Sequence, residues 1–168
     1  MNPNECIEVG MTHEEVFLIE EKHLATHVGS GSARVLATPW MIGLMERTAH
    51  RLVKRCLPEG FSSVGTVVNI RHLAPTPLGS QVRVVSEVTA VAGSQITLKV
   101  RAWDDLELCG EGEHTRFIID EERFLKPLPR LLQPKVVREE RVGKREGGRC
   151  GRRKKHWSLQ TAPQSEDE

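Results

Sequence analysis

Four cysteines, Cys6, Cys56, Cys109 and Cys150, lie too far apart to form a CxxC pair or the framework of a small disulfide-stapled domain. Free thiols in a reducing compartment are the expectation. No histidines fall at zinc-site spacing, so no metal is expected. No run of about 20 apolar residues exists to span a bilayer. The first residues, MNPNECIEVGMTHEE, are acidic and lack a hydrophobic segment. They resemble neither a secretory signal nor an Arg-rich transit peptide, and a cytoplasmic location is expected. Aromatic residues make up only 4% of the chain, and no aromatic-studded sheet motif for reading RNA is present. Ser30-Gly31-Ser32 is not followed by the lysine of a phosphate-binding loop.

What is present suits one folded domain with an extension. Of 168 residues, 38% are apolar and 28% charged, enough for a core without staples. The net charge of +1 hides two unlike segments. Residues 1–128 carry 13 Lys/Arg and 17 Asp/Glu, whereas residues 129–168 carry 11 and 6. The expected division is a domain over 1–128 and a basic tail over 129–168. The tail has no sustained periodicity. A short helix is expected over 130–142 and disorder beyond Gly143. RCGRRKKHW (149–157) packs five Lys/Arg into nine residues. Such a run binds nucleic acid or acidic lipid, directs a chain to the nucleus, or is simply solvated.

ATPWMIGLME (37–46) opens a helix, with Thr38 in the cap position and Pro39 in the first turn. At 100° per residue, Met41, Leu44, Thr48, Ala49, Leu52 and Val53 cluster around Met45, and the helix runs to about Cys56. Arg47, His50, Arg51 and Lys54 fall towards the polar side. Glu46 falls at the edge of the apolar stripe, where a carboxylate needs a reason. Residues 7–24 read as an edge strand, and 25–37, with Gly29-Ser30-Gly31-Ser32, as a flexible loop. Residues 62–74 and 80–93 read as strands, and 94–120 as two strands or one bent around Asp104-Asp105. Gly93-Ser94 marks a hairpin, so residues 65–120 read as an antiparallel meander. The expected class is α+β, a hot-dog fold in which a curved antiparallel sheet wraps one long central helix. Such sheets usually gain a second layer from another copy, so a homodimer is expected.

Three blocks, VLATPWMIGLMERTA, SSVGTVVNIRHLAPTPLGSQVRV and GEGEHTRFIIDEERF, resemble the fluoroacetyl-CoA thioesterase family of single hot-dog proteins. They occur in the family's order, and the resemblance covers about residues 8–126. It implies hydrolysis of an acyl-CoA thioester, with CoA belonging to the substrate and no separate cofactor. It assigns catalysis to Thr38, Glu46 and His72, and substrate binding to Gly65 and Arg116. The loop before the helix departs from the family, because Gly29-Ser30-Gly31-Ser32 stands where the fluoroacetyl-specific member has aromatic residues. A different, larger acyl group is therefore expected.

Each residue type fits such a role and an ordinary one. Thr38 serves as nucleophile or oxyanion donor, or merely caps the helix. Glu46 transfers a proton in a catalytic cavity, or pairs with a neighbouring cation. His72, with an ordinary pKa near 6.5, acts as a base or is a hydrogen-bonded strand histidine. Gly65 allows close backbone approach or opens a strand. Arg116 grips CoA phosphates or the acyl carbonyl, or is solvated. Trp40 and Trp103 are expected to pack rather than to hold substrate. The rival to hydrolysis is a non-catalytic hot-dog module that binds acyl-CoA or a protein partner and recruits through its tail. A hydratase on the same scaffold also stays open.

Overall fold

The computed structural model describes residues 5–127; the expectations for the tail, including Cys150, lie outside them. Strand β1 spans Thr12–Leu18 and a single 3-10 turn Glu21–His23. The one-turn helix α1 (Ala25–Val28) precedes the long helix α2 (Thr38–Lys54). Strands β2 (Phe61–His72), β3 (Gln81–Ala92), β4 (Gln95–Trp103) and β5 (Leu108–Asp120) follow, then the short α3 (Glu121–Leu125).

All five strands form one antiparallel sheet in the order β1-β3-β4-β5-β2. This corrects the expected meander. Strands β3, β4 and β5 do follow one another, but β2 lies beyond β5 rather than beside β3. The link from β2 to β3 carries Pro75 and Pro77 and is a crossover, not a hairpin. The two-residue turn Gly93-Ser94 joins β3 to β4 as expected. Residues 94–120 prove to be two strands. The break is made by Asp104, whose carboxylate accepts from the N–H groups of Leu106 and Glu107 at 3.0 and 2.9 Å.

The alternation of β3 and β4 buries Val82, Val84 and Val88 with Ile96, Leu98, Val100 and Ala102 on one face. Against that face lies the apolar stripe of α2, with Met41, Leu44, Met45, Ala49, Leu52 and Val53 buried. Close seating needs a small residue below the helix: a Cβ on Gly110 would stand 2.5 Å from Met41 Sδ. Thr48, buried in the same stripe, donates its hydroxyl to Leu44 O at 2.9 Å.

Strand β2 sits at the end of the sheet, so one of its edges has no partner strand among the described residues. Val67 and Val68 on it are 53% and 46% exposed. Cys6, Cys56 and Cys109 are free thiols. Among the described residues no helix is long and apolar enough to cross a membrane.

Candidate active site

The site is built where α2 lies along β2, and it has two centres. At the start of α2, the helix is capped by the backbone of Ala37, and Thr38 is its first residue rather than its cap. No side chain caps this end. The hydroxyl of Thr38 instead meets Nδ1 of His72, the last residue of β2, at 2.9 Å. Thus the ordinary use of a threonine at this place is not the one adopted. The pair lies in a groove of about 470 Å³ lined by Ala25, Ser30, Val35, Pro39 and Leu73 among others.

His72 is half-buried, and burial holds its pKa below the ordinary histidine value, with a backbone interaction at Ala74 opposing. A neutral imidazole that accepts the Thr38 hydroxyl at Nδ1 carries its proton on Nε2. Nε2 is buried and has no hydrogen bond of normal geometry among the described residues.

The second centre lies two turns along α2. Glu46 Oε1 stands 3.4 Å from Arg116 Nη1, and a Cβ on Gly65 would stand 2.6 Å from the same oxygen. Gly65 therefore makes room for the carboxylate. Glu46 is not pressed into the core as the apolar stripe suggested; its side chain is 46% exposed. Arg116 is the reverse of a solvated strand arginine, at 4% exposure. Its Nε donates to Ser63 Oγ at 2.9 Å and its Nη2 to Ser63 O at 2.7 Å. Nη2 also faces His50 Nδ1 at 3.4 Å, and Nη1 faces His114 Nε2 at 3.0 Å and Glu46 O at 3.4 Å. A guanidinium has five N–H groups, and these partners use them all. Burial pulls the pKa of Arg116 down, with Glu46 opposing.

His50 and His114 went unnoticed as site residues in the sequence. His50 follows Glu46 by four positions, one turn of helix on the same face. His114 precedes Arg116 by two on β5, again the same face. Burial lowers the pKa of each, and the Arg116 charge lowers both further. Trp40 and Trp103 stand apart from this chemistry. Trp40 packs on the core with its ring edge-on to His23, and Trp103 lies between Arg83 and Arg101. Among the described residues no group of three or more His, Cys, Asp and Glu side chains is placed to hold a metal ion.

The chain thus joins Thr38 to His72, and Glu46 to Gly65 and Arg116, as two sets. Eight helical residues, about 12 Å of axis, separate Thr38 from Glu46. A hydroxyl and an imidazole paired this way, with a carboxylate on the same wall, form the parts of an acyl-transfer site.

The profile of the family described as fluoroacetyl-CoA-specific thioesterase matches residues 19–122. The chain belongs to this family. It is 38% identical over 90 residues to the fluoroacetyl-CoA thioesterase of Streptantibioticus cattleyicolor. That match covers 54% of this chain and 65% of the relative, so the chain spans just under two thirds of that relative's length. A solved structure of the fluoroacetyl-CoA thioesterase FlK superposes with a TM-score of 0.72 at 29% identity, covering 77% of this chain and all of FlK. A hot-dog-like protein from Thermanaerovibrio acidaminovorans matches in fold, with a TM-score of 0.73 at 24% identity, over 80% of this chain and 100% of its own. The fold is the hot-dog fold. The family match takes in all five residues expected at the site, Thr38, Glu46, Gly65, His72 and Arg116.

Proposed function

We propose that the protein hydrolyses an acyl-CoA thioester as a homodimer, with each active site shared between two subunits. The observation that carries this reading is the 2.9 Å contact between Thr38 and a neutral His72, in a chain of a thioesterase family. His72 Nδ1 takes the hydroxyl proton as Thr38 Oγ attacks the thioester carbonyl. The C–S bond then breaks, the CoA sulfur takes up that proton, and water hydrolyses the acyl-threonine. The positive end of α2 lies beside the developing oxyanion.

Glu46 completes the set from the other subunit. Midway between Gly65 and His72 lies the Val68–Asn69 peptide of β2, on its unpaired edge. Midway between Thr38 and Glu46 lies Ile42 on α2, half-exposed beside an exposed Gly43. A two-fold axis past both midpoints sets Glu46 of the partner subunit against the Thr38–His72 pair. The carboxylate then stands on the groove side of the pair, where its charge stabilises the imidazolium that forms when His72 takes the hydroxyl proton. Thr38, Glu46 and His72 carry the reaction, while Gly65 and Arg116 shape the carboxylate's seat.

The groove at Thr38 is lined by Ser30, Val35 and Leu73 among others, and the Gly29-Ser30-Gly31-Ser32 stretch carries no aromatic residue. It therefore takes an acyl group larger than fluoroacetyl. The reaction needs no cofactor beyond the CoA of its substrate, and the expected setting is the cytosol. The test is release of free CoA across a panel of acyl-CoAs of increasing size. Turnover that peaks above the two-carbon acyl group supports the reading. Tight binding with no thiol released would support the non-catalytic module instead.

A further inference from the structure

His114 is buried on β5, and both of its ring nitrogens are spoken for. Nδ1 lies 2.9 Å from Val67 O. A carbonyl oxygen only accepts, so Nδ1 carries the proton and Nε2 presents a lone pair. That lone pair faces Arg116 Nη1 at 3.0 Å. The carbonyl it relies on belongs to the residue after the β2 bulge, where pairing with β5 skips between Gly65 and Val67. The imidazole also underlies Gly65, whose added Cβ would stand 2.9 Å from His114 Cε1.

We propose that His114 is a positioning residue: its Nε2 lone pair fixes the Arg116 guanidinium and, through it, the place of the Glu46 carboxylate above Gly65. Its kinetic consequence rests on the thioesterase reading; its geometry does not. Without this acceptor, Nη1 is left with only the two 3.4 Å contacts to Glu46. The arginine then turns on its Ser63 contacts, and the carboxylate moves with it. A protonated His114 would set one cation against another inside the sheet. Burial, which lowers its pKa, keeps it in the form the contact needs.

Two amides separate positioning from mere packing. In His114→Gln, the side-chain oxygen reaches the place of Nε2 and accepts from Arg116. In His114→Asn, the amide nitrogen reaches the place of Nδ1 and keeps only the bond to Val67. On the best acyl-CoA, the Gln variant is expected to keep kcat within about threefold. The Asn variant is expected to lose about ten- to hundredfold in kcat with KM little changed, as removal of a hydrogen bond to a charged group implies. Equal losses, or a worse Gln variant, would overturn the proposal, because anchoring the bulge would then be the role. A second readout does not depend on activity: nitrogen NMR of the wild-type protein should show His114 Nε2 unprotonated and the Arg116 Nε–H in slow exchange. A protonated Nε2 overturns the proposal whatever the kinetics. A wild-type protein that releases no CoA overturns the thioesterase reading alone, and the NMR result still decides the role of His114.

Discussion

The two centres along α2 differ in how fully their polar groups are engaged. At Thr38 a single 2.9 Å contact joins two side chains beside an open groove, and His72 Nε2 is buried with no hydrogen bond of normal geometry among the described residues. At Arg116 every donor is engaged, and the charge is held by Ser63, His50, His114 and Glu46. The first centre is open and sparsely bonded. The second is saturated and offers only the half-exposed Glu46 outward. The contrast is that Arg116 keeps no unengaged N–H among the described residues. It holds the Glu46 carboxylate beside Gly65.

The largest effects should come from cutting the link between the centres. Glu46→Gln and His72→Ala should each lower kcat by about a hundred- to ten-thousandfold while circular dichroism shows the fold intact. Full kcat in either variant removes that residue from the mechanism. Next, Thr38→Val deletes the hydroxyl but keeps the shape, and should cost about a hundredfold in kcat, whereas Thr38→Ser stays within about fivefold. Equal rates for the two would make the hydroxyl a bystander. Gly65→Ala sharpens the comparison from the other side. Its Cβ displaces Glu46 Oε1, so kcat should fall about ten- to hundredfold for a displacement of roughly 1 Å. If Gly65→Ala instead leaves kcat intact, the carboxylate's place is not critical.

The smallest effect is on stability. His50, His72 and His114 have pKa values lowered in the fold, chiefly by burial. Around them, His50 faces Arg116, Lys54, Glu46 and Arg51, and His114 faces Arg116 and Glu46. Each binds its proton more readily unfolded than folded. Their contribution is full above the unfolded value near 6.5 and is lost as pH falls below it. The urea midpoint should therefore drop between pH 7.5 and pH 5.5, and drop less in His114→Gln. A midpoint that rises on acidification contradicts this account.

Much of this was legible in the sequence, because the signals were local. The helix announced itself by its stripe and by Pro39, and the β3–β4 hairpin by Gly93-Ser94. The three family blocks carried Thr38, Glu46 and His72, and the structure places the first and last in contact. What escaped was non-local. The position of β2 beyond β5 depends on a crossover that no turn motif encodes. Arg116 looked like a free cation because its partners come from three stretches of chain, on α2, β2 and β5. His114 was inside a quoted block, two residues before Arg116, yet only the bulge at Gly65–Val67 gives it the carbonyl that sets its tautomer. Glu46 looked buried because the stripe counts apolar neighbours; the glycine opposite leaves it half open.

The shared site is tested most directly by mixing two inactive variants. Glu46→Gln and His72→Ala, unfolded together and refolded, form mixed dimers in which one site carries both changes and the other carries neither. If the carboxylate and the imidazole come from different subunits, thioesterase activity should return to about one quarter of the wild-type value. If mixing restores nothing although mixed dimers form, both residues serve the same subunit's site, and the two-fold arrangement is wrong.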